Sequence, residues 1–376
     1  MKKVLAFYLP QFHCIPENDE WWGEGFTEWT NVKKAKALFE GHNQPRIPLD
    51  QNYYDLSDIE VMRWQAKIAK EHKIYGFCVY HYWFHGKLLL EKPMENYLKD
   101  EDTDFPYCFC WANEHWTNAW VSGENKILIE NEFQDKSDWV KHFQYLLPFF
   151  KDKRYIKENN KPVFVIYYPS IIDPLDEMML CWNKLAEDEG FSGIEFIYQH
   201  FLFHLSSTPT DNAKKDLFNY GIEFEPNLSM NETKSKFKGF LERAKAKSSN
   251  FLQTKMHVYL KLPQNKPTIF DYDVLWKNLL NRDSNSKKMI PSAFVDWDNT
   301  ARRGSRGSLI SGATPDKFKK YFRSLVEKSE REYHSNYIFI FSWNEWAEGG
   351  YLEPDTRNGF GYLNAIKDVL DEYYKK

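Results

Sequence analysis

No stretch of this 376-residue sequence stays apolar over the roughly 20 residues that a membrane-spanning helix requires. Charge of one sign is also missing. The net charge is −4, with 50 Lys and Arg mixed among 54 Asp and Glu. There is neither a basic stripe for nucleic acid nor a polybasic tail for an anionic membrane. Met1-Lys2-Lys3 and the apolar residues after it imitate the start of a signal peptide. That run is short, Pro10 ends it, and no small-residue cleavage site follows, so the segment reads as a first strand of a cytoplasmic protein. Cysteine is scarce and odd in number: Cys14, Cys78, Cys108, Cys110 and Cys181. Three fall in strand-like runs and none has partners at zinc spacing, which points to reduced core thiols and no metal. A glycine-rich phosphate loop and a Rossmann-type half are lacking too, so no cofactor is implied. Without internal repeats or a linker, residues 1–376 are expected to form one domain.

Aromatic residues, by contrast, make up 18% of the chain, including 14 Trp and 23 Tyr. Short apolar runs recur at Val4–Tyr8, Ile74–Tyr80, Tyr107–Trp111, Val163–Tyr167, Ile194–Tyr198, Gly221–Glu225, Ile290–Val295 and Tyr337–Phe341. Each is too short for a helix and most are rich in Val, Ile, Phe and Tyr. Helical patterns follow at Leu56–His72, Leu88–Leu98, Asp138–Phe150, Leu175–Glu189, Ser235–Ala246, Tyr272–Asn281, Pro315–Glu330 and Leu363–Tyr373. A weak one sits near Thr208–Leu217, and Lys245–Lys255 reads as a polar surface loop. Eight strand–helix alternations predict a single closed (β/α)8 TIM barrel, an α/β fold. A long insertion, residues 17–50, is expected to cover the mouth.

Active sites of such barrels lie at the C-terminal strand ends. Polar and aromatic residues gather there in this sequence. They are Tyr8, Gln11 and His13 at strand one; Tyr80, His81 and Trp83 at strand two; and Trp111, Asn113, Glu114 and Trp116 at strand three. Asp296 and Trp297 follow strand seven, and the insertion adds Glu24 and Trp29. Strand eight leads into Phe341-Ser342-Trp343-Asn344-Glu345-Trp346-Ala347-Glu348-Gly349-Gly350. Here two carboxylates stand three residues apart among tryptophans. Cleavage of a glycosidic bond uses two carboxyl groups in different protonation states, and charged groups among bulky apolar neighbours cost free energy unless paired or shifted in pKa. Glu345 and Glu348 are therefore the candidate catalytic pair. Asn344, Trp346 and the residues named above are candidates for binding a neutral oligosaccharide or polysaccharide. A structural ion pair to Arg302 or Arg357 is the competing explanation for the acids. Asp296-Trp297-Asp298 also satisfies Asp-x-Asp, a weak pattern common in metal-dependent glycosyltransferases, and a non-catalytic glycan-binding barrel is a third possibility.

Several segments resemble a known family. They are Tyr8-Leu9-Pro10-Gln11-Phe12-His13, the run from Trp21 to Val32, Gly76 to Phe84, Trp111-Ala112-Asn113-Glu114-His115-Trp116-Thr117, and Trp343 to Gly349. Together they resemble the WbsX proteins, also described as glycoside hydrolase family 99-like. The resemblance runs from residue 3 to about residue 365. It implies a (β/α)8 barrel acting on glycans. WbsX members are associated with bacterial polysaccharide and lipopolysaccharide O-antigen biosynthesis and are often labelled glycosyltransferases, whereas family 99 enzymes are retaining endo-α-mannosidases. Glu345 and Glu348 stand on the two glutamates of the hydrolase motif Asn-Glu-Trp-x-Glu-Gly. The resemblance gives the first the task of deprotonating the sugar 2-hydroxyl. It makes the second the acid toward the leaving group and then the base toward water. Ala347 departs from the His common in those hydrolases.

Overall fold

The computed structural model describes residues 2–117, 127–200, 217–235, 266–283 and 288–374. Eight strands run in one direction around a barrel. They are β1 (Lys3–Tyr8), β2 (Ile74–Phe84), β3 (Tyr107–Trp111), β4 (Lys161–Ile166), β5 (Glu195–His200), β6 (Tyr220–Glu223), β7 (Met289–Ile290 and Ser292–Phe294) and β8 (Tyr337–Phe341). Each strand pairs in parallel with its sequence neighbours, and β1 pairs with β8. Pro291 divides β7, because proline has no N–H to give a ladder. The first piece pairs with β6 and the second with β8, so the ring closes around that break.

The strands are buried almost throughout, as they must be when side chains fill the inside and helices cover the outside. Helices Ile59–Glu71, Lys92–Lys99, Lys136–Lys151, Leu175–Asp188, Tyr272–Asn281, Pro315–Glu332 and Gly361–Tyr374 follow the predicted pattern within a few residues. Asp58, Asp135, Asp271 and Thr314 cap four of them by accepting backbone N–H groups. The patterns at Ser235–Ala246 and Thr208–Leu217 and the loop Lys245–Lys255 lie essentially outside the described residues; residues 227–235 are helical.

Two differences from the expected elements bear on the site. Strand β2 runs four residues beyond Tyr80, because Tyr82, Trp83 and Phe84 pair back on a short strand, Lys87–Leu89, where a helix start was expected. His81 and Trp83 therefore lie within a strand and not in a loop after it. Strand β6 stops at Glu223, ahead of Pro226 and the helix that follows. Inside the barrel, Phe7 packs on Tyr80, Phe224 and Phe339, and Phe224 meets Phe341 edge-on. This aromatic layer forms the base beneath the strand ends.

Candidate active site

The chain leaves β8 and folds immediately on itself. Asn344–Glu345 pairs antiparallel with Gly350–Tyr351, and Trp346–Glu348 makes one 3₁₀ turn between them. Gly349 closes the turn at φ 64°, a left-handed conformation that disfavours side chains; a Cβ there would also meet the Asp298 backbone at 2.9 Å. Side chains then fix the turn. Ser342 Oγ accepts the Glu345 N–H at 2.9 Å. Asn344 accepts the Leu9 N–H at 2.7 Å and donates to the Leu9 carbonyl at 3.0 Å, which ties the ends of β1 and β8 together. Trp346 stacks on Tyr351 and donates its indole N–H to Glu353 at 2.6 Å.

One guanidinium organises the charges. Arg302, on the short helix Thr300–Arg303 after β7, donates Nη1 to Glu348 at 2.7 Å. Its Nη2 reaches Glu345 at 3.3 Å and Glu28 at 2.9 Å, and its Nε reaches the same Glu28 oxygen at 3.2 Å. Glu28 opens the helix Glu28–Lys34 of the 17–50 insertion. Arg302, Glu28 and Glu345 are nearly inaccessible, while Glu348 is 19% exposed. Burial, then the charge of Glu348, pushes the Glu345 carboxyl well above the usual range. Burial also raises Glu348, against the pull of Arg302. Of the two arginines expected to compete for these acids, Arg302 meets both. Arg357 instead gives its backbone N–H to Asp355.

Glu345 and Glu348 both face a cavity of about 360 Å³. Its lining is drawn from the C-terminal ends of seven strands. Leu9 comes from β1, Tyr80 and Tyr82 from β2, Glu114, His115 and Trp116 from β3, and Tyr167 and Tyr168 from β4. Phe224 and Asn227 follow β6, Trp297 follows β7, and Phe341 ends β8. The volume falls in the range of small-molecule sites, about 300–1,000 Å³. Rings and phenols make up most of the wall, and three carboxyl groups face inward.

Among the candidates, Tyr80, Glu114, Trp116, Trp297, Glu345 and Glu348 line this cavity. Others support it from behind. Gln11 donates to the Tyr82 hydroxyl at 3.0 Å, and Asn113 clamps the Tyr168 backbone through both amide atoms. Asn344 and Trp346 hold the turn that carries Glu345 and Glu348. The rest are placed elsewhere. Tyr8 donates to Gln65 in the core, and Trp29 packs among Phe12, Tyr54 and Trp346. Trp111 donates to the Trp83 carbonyl. Trp83 stacks on His142 and donates to Asp138, while His81 contacts His142 at 2.9 Å and is pushed by burial to about 3. His13 is buried and Glu24 is exposed on the insertion. Asp296 pairs with Arg46, and Asp298 binds His42, Gln44 and Thr300. Sequence reasoning did not single out Glu28, Tyr167, Tyr168 or Asn227. A Tyr-Tyr-Pro at the end of the fourth strand was an available signal; for Glu28 only the distant fold supplies one.

A closed (β/α)8 barrel with paired acids at its C-terminal mouth defines the class. The chain belongs to the WbsX family, whose model, described as "Glycosyltransferase WbsX", matches residues 4–366. It is 32% identical over 369 residues to the uncharacterized protein WxcX of Xanthomonas campestris pv. campestris strain B100, covering 98% of this chain and 49% of that one. The chain thus spans about half the length of the curated relatives it matches. Among solved structures it is similar to an endo-α-mannosidase of glycoside hydrolase family 99 from Bacteroides thetaiotaomicron. The TM-score is 0.54 at 16% identity, over 99% of this chain and 97% of that one. A glycoside hydrolase-like protein gives a TM-score of 0.55 at 13% identity, over 98% and 93% of the two chains. These structural likenesses bear on the fold.

Proposed function

We propose that this chain is a glycan-active enzyme that cleaves a glycosidic bond, with Glu345 and Glu348 as its carboxyl pair and residues 1–376 as one catalytic unit. The observation that carries the reading is that both acids face one aromatic-walled cavity at the strand ends while sharing a single guanidinium. Buried carboxyls pushed apart in protonation are what acid–base cleavage of a sugar bond needs. Trp116, Trp297, Tyr80 and Tyr82 offer flat faces for sugar C–H groups, and Glu114, Tyr168 and Asn227 offer hydrogen bonds to hydroxyls. A retaining, endo-mannosidase-like hydrolysis of a neutral oligosaccharide is the first choice, with mannose-type sugars drawn from the family resemblance.

Glycosyl transfer in bacterial polysaccharide or O-antigen synthesis is the second reading, favoured by the family's description. The Asp-x-Asp pattern gives it little support. Asp296 is engaged by Arg46 and Asp298 by three side chains, and neither lines the cavity. The cavity also turns three carboxyl groups toward a ligand, which suits a neutral sugar better than a nucleotide diphosphate. The deciding experiment incubates the protein with a panel of neutral oligosaccharides, with and without nucleotide-sugar donors, and separates the products. Shortened oligosaccharides without donor are expected. Extended products formed only with donor would replace hydrolysis by transfer.

A further inference from the structure

We propose that the protein has a second sugar-binding site, away from the barrel mouth, that holds one neutral hexose unit of a glycan against the Trp64 ring and the Asp50, Gln51 and Asn52 side chains. The choice of a sugar among neutral polar ligands rests on the proposed action on glycans; the cavity itself does not.

A cavity of about 540 Å³ lies where Trp64, on the helix Ile59–Glu71, and Phe360, just ahead of the helix Gly361–Tyr374, meet the end of the insertion. Its size is within the range of small-molecule sites, about 300–1,000 Å³. No residue lines both this cavity and the one that holds Glu345 and Glu348. Buried residues link the two. Tyr54 packs on Trp64 at 6.3 Å and donates to Glu353 at 2.9 Å, and Glu353 accepts the indole N–H of Trp346 at 2.6 Å. On the insertion side, Asp50 and Gln51 both stand in the left-handed region, at φ 55° and 54°, which side chains rarely adopt. The backbone is held there by the Leu49 N–H on the Pro354 carbonyl at 2.9 Å and the Gln51 N–H on the Pro48 carbonyl at 3.0 Å. The turn thus presents three successive polar side chains, Asp50, Gln51 and Asn52. All three are exposed, and none has a side-chain partner among the described residues.

The lining selects the ligand. A carboxylate and two side-chain amides accept from and donate to neighbouring hydroxyls, and an aromatic face covers the C–H groups between them. Of the three rings in the wall, Tyr53 has the Lys33 ammonium over it at 4.3 Å, and Phe360 lies parallel to His72 at 5.7 Å. Trp64 is therefore the ring left to take a sugar face. No Lys or Arg lines the cavity, and the Asp50 carboxylate would repel a phosphate or a uronic acid. One carboxylate alone is a poor cation site. The site contains no paired acids, so it holds a glycan without cleaving it.

The test reads Trp64 directly and needs no turnover. Protein labelled with 5-fluorotryptophan is followed by ¹⁹F NMR, with Trp64→Phe used to assign the Trp64 signal. It is titrated separately with the methyl glycosides of mannose, glucose, galactose and rhamnose, and with inorganic phosphate. The Trp64 signal is expected to move, and to saturate, with at least one of the sugars and to stay still with phosphate. Asp50→Gly suits the left-handed turn, and Asn52→Ala lies on the exposed surface, so the double variant should fold. It should weaken the apparent affinity at Trp64 about tenfold, as loss of a charged hydrogen-bond partner does. A Trp64 signal that no sugar moves, that phosphate moves equally, or that responds unchanged in the double variant overturns the proposal. A sugar response at Trp64 in a protein that cleaves no glycan would overturn the proposed reaction and leave the second site standing. Cleavage with a silent Trp64 would do the reverse.

Discussion

Two arginines in this barrel each gather three glutamates. Arg302 holds Glu28, Glu345 and Glu348. Arg282, at the end of the helix Tyr272–Asn281, lies 3.4 Å from Glu223, 2.6 Å from Glu225 and 2.7 Å from Glu232. Both sets are largely buried, and burial raises the Glu223 and Glu225 carboxyls in one and the Glu345 and Glu348 carboxyls in the other, against the pull of the guanidinium. The surroundings differ. The acids of Arg282 come from the end of β6 and the helix just beyond it, and they are further tied to Tyr333 and Ser229. None of them lines the 360 Å³ cavity. The Arg302 set draws on the insertion, the β7 loop and the β8 turn, and two of its acids face that cavity. Charge and burial are thus common to both clusters; access to a shaped, aromatic-walled space is what sets the Arg302 acids apart.

The sharpest way to break this contrast is to neutralise one acid in each cluster. Glu345→Gln and Glu348→Gln should each lower turnover on the accepted glycan by about 10²–10⁴-fold, the usual contribution of a general acid or base. Circular dichroism should show both variants folded. Glu225→Gln should leave turnover close to wild type. Equal losses in all three variants would mean that the Arg302 acids, like the Arg282 acids, serve the fold.

How much of this contrast could be read from the sequence follows from the range of each interaction. Strands and helices were legible because period and flanking residues are local: Tyr272–Asn281 was placed to the residue. Glu345 and Glu348 were legible because both sit on one turn after one strand. The aromatic walls were legible only in part. Trp83, Trp111 and Trp346 follow or flank strands as Trp116 does, yet they turn into the core, and one residue of register decides which way a strand-end ring points; Trp29 is buried from the insertion helix Glu28–Lys34. Glu28 lies 274 residues from Arg302, and that pairing exists only once the barrel has closed.

Removing the second guanidinium gives the next largest effect. Arg282→Met would leave Glu225 without its cation and Glu223 with only the more distant Lys328, a loss of about 3–5 kcal/mol by analogy with broken buried pairs. Chemical denaturation should show it as a lowered midpoint. Turnover per folded molecule should be retained at a temperature where the variant remains native. A variant that is stable but inactive would place the Arg282 cluster in the reaction.

A pH test separates either cluster from the scaffold that holds the turn after β8. Glu353 accepts from Trp346, Gln65 and Tyr54, and burial outweighs these bonds to raise its carboxyl from 4.5 to about 7. A folded value above the unfolded one means that the native state binds the extra proton. The resulting stability is full below about 4.5 and is lost as pH rises through about 7, with about 3 kcal/mol at stake. Wild-type stability should therefore fall relative to Glu353→Gln between pH 5 and pH 7, read as the difference between two Tm-against-pH curves. Parallel curves would show that Glu353 has an ordinary pKa.

The smallest expected effect concerns the cavity wall. Trp116 lines the cavity beside Glu114 and His115; its ring meets Tyr82 and Phe84 edge-on and lies tilted against Trp21 and Trp22. Trp276, beside the Arg282 cluster in sequence, is instead sealed between Phe294 and Tyr321. If the Arg302 side is the sugar-binding side, Trp116→Ala should weaken binding of the accepted oligosaccharide about tenfold, or 1.4 kcal/mol. Trp276→Ala should leave affinity unchanged and cost about 3–5 kcal/mol of stability, as truncation of a core aromatic does. Isothermal titration and thermal melts on the two variants read both quantities. Affinity unchanged in Trp116→Ala with a large drop in Tm would make that ring another part of the core, and the sugar's stacking face would then have to be the neighbouring Tyr82 or Trp297 after β7.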